Sequence, residues 1–410
     1  MITKKIAYLL IFSLVLGVSG VAYGATDDTR YLVKSGSGFW KKSFGVRHQF
    51  DEGFTTDLSD WQLRVARVFG VEIVPVKKLY VLPELTTTES VEDSNVSGNV
   101  PVGRKPTPEP SPSVRPTPSD QLPWGIEAIY GNDPLLVKTS GGAKVNVAIL
   151  DTGVLKTHPD LKNRVSQCKD FTSFKQPITD GKCDDKHGHG THVAGTIAAD
   201  GGDDDKGVYG VAPEANLYAY KVCGTNGSCW SDDIAIALRT AADQGANVVN
   251  MSLGSDSESS LIKDAINYAV GKNVLVIAAA GNDGPDFGSI DYPGANPNVV
   301  SVSAFDIALT IAEWSSRGIN STTTSYIRNE KDIELAAPGV IVESTWKDGG
   351  YVILSGTSMA TPHVAGLAAK LWQKDALDPD SATRDLLHTF SQDLGPIGDD
   401  DASGWGFPHL

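Results

Sequence analysis

From Ala143 to Ala280 the chain repeats one alternation, a short run of apolar and largely β-branched residues followed by a longer amphipathic stretch. "AKVNVAIL", "NLYAYKV", "ANVVNMSL" and "NVLVIAAA" read as buried strands. "GTHVAGTIAA", "DDIAIALRTAADQG" and "SLIKDAINYAVGK" carry helical spacing, the second with acids at its start and glycine at its end. Apolar strands that alternate with helices predict an α/β fold, a mainly parallel, doubly wound sheet with helices on both faces. Ligands of such a sheet bind beyond the carboxyl ends of its strands, so that rim is where chemistry is to be sought.

The 410 residues leave room for one large domain of this kind and a smaller companion. Residues 1–24 carry Lys4 and Lys5, an apolar run from Ile6 to Val18, and Ala22-Tyr23-Gly24 before Ala25. The run is short for a membrane span and its flanks are those of a secretion signal, so the expected location is extracellular or periplasmic, with no membrane attachment after cleavage. Residues 25–100 contain the helical-looking "DLSDWQLRVARVFG" and apolar-alternating runs such as "GVEIVPVKKLYVL", which read as a small α+β segment. A stretch dense in Pro, Ser and Thr follows and is assigned as a linker over 101–119, too poor in apolar residues to fold by itself. Residues 120–410 form the large domain.

Net charge of -15 at pH 7 argues against nucleic acid and anionic membrane as partners and suits divalent cations. Export changes the meaning of the four cysteines. Cys168 with Cys183, and Cys223 with Cys229, form two local pairs that read as loop-closing disulfides, although sequence alone allows three connectivities. Neither pair has the C-x-x-C spacing that favours zinc.

Three polar residues fall where the rim rule points. Asp151 ends the strand "VAILD", His189 opens the helix of "GTHVAGTIAA", and Ser358 opens the small-residue helix of "SGTSMATPHVAGLAAK". A serine hydroxyl becomes a nucleophile when a neutral histidine takes its proton and a buried carboxylate fixes that histidine's tautomer. Asn282, at the end of "AAAGN", brings an amide able to donate to the oxyanion formed on acyl attack. Taken singly, Asp151 is a turn former and Ser358 a helix N-cap; their joint occurrence gives the chemical reading its weight.

"VAILDTGV", "HGHGTHVAGTIAA", "MSLGS", "AAAGND" and "SGTSMATPHVAGLAA" resemble the signature blocks of the subtilisin-like serine proteases, the subtilases, over roughly residues 120 to 410. Asp–His–Ser is subtilisin's own chain order, so order and blocks are one observation. The resemblance implies Asp151, His189 and Ser358 as the triad and Asn282 as the oxyanion residue. His192 is then a helix residue facing the protein interior, and His187 is an extra loop residue. The H-x-H-x-x-H spacing also resembles a metallo-β-lactamase zinc block, which carries an aspartate where Thr191 stands.

The resemblance further implies that residues 25–100 are a pro-segment that assists folding and inhibits the enzyme until cut away. Ser252, Leu253 and Gly254 would form one wall of the substrate groove. "SIDYPGANP" would put Asp291 near the floor of the pocket for the residue before the cut bond, with Asp283 at its rim, favouring a basic residue there. "DGGDDDKGVYG" lies where relatives hold calcium, implying Asp204, Asp160 and Asp120 as ligands, with Asp184 and Asp185 as parts of another cation site. The expectation is a secreted, monomeric serine endopeptidase acting on proteins and peptides, with structural Ca2+ and no catalytic cofactor. An inactive binding protein on this fold and an esterase are the alternatives, the latter disfavoured by the absence of a G-x-S-x-G elbow around Ser358.

Overall fold

The computed structural model describes residues 29–82, 113–131, 139–173, 176–204, 206–323, 325–326 and 328–410. The expected signal segment, most of the linker and Asp205 lie outside them. The chain divides into two compact units, Met1–Val76 and Lys77–Leu410.

In the first unit Arg30–Lys34 pairs antiparallel with both Gly53–Asp57 and Glu72–Pro75, and Gln49–Phe50 closes the sheet edge. Its second helix, Asp60–Val68, starts with a capping box in which the Gln62 amide donates to Ser59 Oγ at 3.4 Å and Gln62 Oε1 accepts from the Ser59 amide at 2.9 Å. Val33, Phe54 and Leu58 form its core.

The second unit is built on an eight-stranded sheet in the order Leu335–Pro338, Val300–Phe305, Leu275–Ala279, Val248–Met251, Asn146–Asp151, Asn216–Lys221, Val165–Asp170 and Thr179–Asp180. All neighbours are parallel except the last pair. The expected α/β architecture is therefore present, and the four strands read from the sequence occupy the sheet's interior. They are apolar on both faces because helices cover them. The Ser231–Asp243 helix packs on the Ser260–Val270 helix, and the wholly buried His189–Ala198 helix packs on Thr357–Lys370.

One element lies elsewhere than its sequence neighbourhood implies. Within "GVEIVPVKKLYVL", Glu72–Pro75 belongs to the first unit, but Lys78–Val81 is the middle strand of a separate sheet in the second, between Ser228–Trp230 and Leu253–Gly254. Periodicity finds a strand but not its partner, because pairing depends on where the chain returns.

Candidate active site

Asn146–Asp151 and Val248–Met251 are adjacent parallel strands, so Asp151 and Ser252 emerge side by side at the same carboxyl rim. Asp151 is 1% exposed, and its Oδ1 accepts from the Thr152 amide at 2.6 Å. His189 Nδ1 lies 2.8 Å from Oδ1 and 3.0 Å from Oδ2 of the same carboxylate, which assigns the proton to Nδ1.

The helix brings His189 there through two local features. Gly188, at φ 114°, turns the chain in a conformation that side chains resist, and Gly190 lets the helix close on the strand, since a Cβ there would sit 3.0 Å from Asp151 Oδ1. Asp185 secures the turn. Its Oδ1 accepts from Thr152 Oγ1 at 3.0 Å and the His187 and Gly188 amides at 2.9 and 2.8 Å, and its Oδ2 accepts from Thr191 N at 3.0 Å and Thr191 Oγ1 at 2.7 Å. Five donors occupy this carboxylate, correcting the expectation that it serves a cation.

The three histidines do not converge on a metal. His192 Nε2 donates to the Val342 and Val352 carbonyls at 3.0 and 3.2 Å, and burial pushes its ring down to about 3. His187 stands with its ring centroid 6.3 Å from that of His189. His363, inside the Ser358 helix, is held by the Met359 carbonyl at 2.8 Å and is a packed residue.

Ser358 is the second residue of its helix and 1% exposed. Pro362, four residues on, has no N–H to offer the Ser358 carbonyl. Ser252 Oγ supplies the missing bond at 2.9 Å, while Ser358 Oγ donates to the Ser252 carbonyl at 3.2 Å. Asn282 is oriented from the other side, its Oδ1 accepting from the Thr357 amide at 3.0 Å and Thr357 Oγ1 at 2.9 Å. That leaves Nδ2 towards Gly356, 3.4 Å from where a Cβ on that glycine would lie.

Beside Ser358, Leu253 and Gly254 pair antiparallel with Val81 and Tyr80, while Ser228, Cys229 and Trp230 pair with Tyr80, Leu79 and Lys78. Two walls thus hold one extended chain; the sequence pointed only to the first. The Cys223–Cys229 disulfide lies in the second wall, and Cys168–Cys183 closes the other pair. Asp291 is 3% exposed, and its Oδ2 lies 2.8 Å from a Cβ position on Gly254 and 3.0 Å from one on Gly281.

In the acidic loop, Asp160 is buried and its Oδ2 accepts from Val208 N and Tyr351 O–H, each at 2.9 Å. Burial, reinforced by Asp200 and Asp204, pushes its carboxyl up to about 6. Asp160 Oδ1 and Asp204 Oδ1 both approach the Cβ position of Gly202, at 3.1 and 3.6 Å, so two carboxylate oxygens converge on a glycine turn. Calcium takes six to eight oxygens, and these two supply only part of such a set. Asp203 and Asp200 pair with Lys162 and Arg164, and Asp204 Oδ2 lies 3.7 Å from Lys206 Nζ. Asp120 accepts from the Leu122 amide at 3.1 Å, and its neighbour Gln121 accepts from Tyr209 N at 2.8 Å, tying this end of the chain to the loop.

A parallel α/β sheet with an acid–imidazole pair and a helix-borne serine at its carboxyl rim is the framework of a serine protease. Residues 142–406 match the family model described as "Subtilase family". The chain is 44% identical over 385 residues, 90% of its length, to "Subtilisin" of Bacillus sp. (strain TA39), covering 86% of that protein. It is 40% identical over 277 residues, 68% of its length, to "Subtilisin Savinase" of Lederbergia lenta, covering 94% of that protein. Among solved structures it resembles "Sphericase" with a TM-score of 0.68 and 50% identity, over 71% of this chain and 99% of that one. "S41 Psychrophilic Protease" matches with a TM-score of 0.67 and 51% identity over the same shares. The chain belongs to the subtilase family of serine endopeptidases, which act on proteins and use no catalytic cofactor.

Proposed function

We propose that this protein is a secreted, monomeric endopeptidase, made as a self-processing precursor, that cleaves proteins through an acyl-enzyme on Ser358. The buried Asp151–His189 bond at 2.8 Å, beside the strand end to which Ser358 is tied, carries the reading. Asp151 holds His189 with its proton on Nδ1, so Nε2 takes the proton of Ser358 Oγ as the oxygen attacks the substrate carbonyl. Asn282 Nδ2 and the Ser358 amide donate to the resulting oxyanion. His189 passes its proton to the leaving amine, and water then repeats the sequence to free the acid.

Substrate backbone lies between Ser252–Gly254 and Ser228–Trp230, as Lys78–Val81 does in this chain. The same strand supports a pro-segment over 25–100 that occupies the groove until the chain is cut, with the linker over 101–119 as the processing region. Asp160 and Asp204, with Asp120 nearby in the chain's course, would hold a structural calcium ion that offsets the loop's negative charge. No helix among the described residues is long and apolar enough to cross a membrane.

Ser358→Ala, expressed as the full precursor, is expected to lose casein hydrolysis and fluorophosphonate labelling and to remain uncut. Self-processing of the purified variant would assign the nucleophile elsewhere, and a wild-type enzyme active on a triglyceride emulsion but not on casein would make it an esterase.

A further inference from the structure

The strands Asn146–Asp151 and Asn216–Lys221 run parallel and in register, so Asp151 and Lys221 end them side by side at the carboxyl rim. Lys221 is 8% exposed, although lysine is among the residues least often buried. Its Nζ donates to the Thr152 carbonyl and, at 2.9 Å, to the Cys223 carbonyl. Among the described residues no carboxylate forms an ion pair with it. Burial pulls the ammonium below its ordinary value, while Asp185, Asp170, Asp151 and Asp184, in that order, favour its charge. A buried ammonium without a salt-bridge partner is costly, and an apolar side chain of similar length would fill the same space without that cost.

The two carbonyls it holds flank the triad's acid. Thr152 commits every polar group it has: its amide donates to Asp151 Oδ1 at 2.6 Å, its hydroxyl accepts from the Gly190 amide and donates to Asp185 Oδ1, both at 3.0 Å, and its carbonyl accepts from Lys221. The Asp151 carbonyl is bound in turn by the Val222 and Cys223 amides, at 2.8 and 3.1 Å. Lys221 thus ties the turn after Asp151 to the turn after itself. That limits how far Thr152, and the amide it aims at the Asp151 carboxylate, can rotate.

We propose that Lys221 is a positioning residue of the triad, fixing the turn that orients Asp151 while its positive charge keeps His189 a free base at the pH of catalysis. The inference rests on the protease reading above and adds a residue to its machinery. His189 is held by Asp151 at Nδ1; His187 and His192, on its own segment, act on it, and Asp185, Lys347 and His363 act on those two. A buried carboxylate draws a proton onto the imidazole it touches, and an imidazolium cannot accept the Ser358 proton. A second positive charge near that carboxylate opposes this, because it stabilises ionised Asp151 and repels imidazolium. Removing the charge should therefore raise the pH at which His189 becomes a base.

The test compares mature wild-type enzyme with Lys221→Met, Lys221→Gln and Lys221→Arg, each checked for folding by its melting temperature. kcat/KM for one fluorogenic peptide, read from about pH 5 to about pH 10, follows ionisation of the free enzyme, so its acid limb reports His189. Both neutral variants should move that limb upward by about one pH unit. Above the limb, Lys221→Met should lower kcat about tenfold with KM little changed. Lys221→Arg, which retains the charge, should keep the wild-type limb. An acid limb that stays in place in a folded neutral variant would overturn the proposal and leave Lys221 a structural residue, as would a limb that Lys221→Arg moves as far as Lys221→Met does. If neither neutral variant melts cooperatively, the ammonium serves to fold the rim rather than to set the triad, and the proposal fails likewise. Loss of fluorophosphonate labelling in the wild type marks failure of the protease reading itself, whereas labelled variants with an unmoved limb mark failure of this inference alone.

Discussion

Ser252 and Ser358 bind each other in both directions, Ser252 Oγ donating to the Ser358 carbonyl at 2.9 Å and Ser358 Oγ to the Ser252 carbonyl at 3.2 Å. The first bond exists because Pro362 has removed that carbonyl's helical partner. Asn250 Nδ2 in turn donates to Ser252 Oγ at 3.0 Å, so a strand end sets the position of the nucleophile's backbone. Ser252→Ala should orphan a buried carbonyl, at a cost of about 1–3 kcal/mol in stability. It should also lower kcat about tenfold by loosening the serine, with KM moving much less. Steady-state kinetics beside a denaturant melt checks both, and an equal loss in melting without a kcat effect would confine Ser252 to structure.

If Asp160 and Asp204 hold calcium, EDTA should lower the apparent melting temperature by about 5 °C, and added calcium should restore it. Asp204→Ala should melt at the lower temperature with or without EDTA. A melting temperature indifferent to chelator in the wild type would remove calcium from the account.

Far from the groove, Glu334 and Arg384 are buried together, Nε meeting Oε1 at 2.6 Å, with His388 Nε2 on Oε1 at 2.8 Å. Burial alone would raise the Glu334 carboxyl, but Arg384 and His388 hold it down to about 2. A carboxyl held below its unfolded value adds stability above pH 4.5 or so, and that stability disappears as pH falls towards 2. Arg384→Met should therefore cost about 3–5 kcal/mol near neutral pH by stranding the charge, with the difference from wild type shrinking in acid. Urea melts at several pH values would measure it.

The alternation of short apolar runs and longer amphipathic stretches determined the sheet, because run length and the helical period of 3.6 are both written in neighbouring residues. The blocks around Asp151, His189, Asn282 and Ser358 were legible for the same reason, each being a strand end or helix start with its own turn chemistry. What tertiary structure decided is where distant pieces meet. It turned Asp185 from a supposed cation ligand into the anchor of the His189 turn. It moved Lys78–Val81 from the small unit's sequence neighbourhood into the large unit's groove, and it brought Asp256 to Asp283 and Asp291. Hydrogen bonds and charge clusters are satisfied by whatever group arrives in space, and separation along the chain does not specify which group that will be.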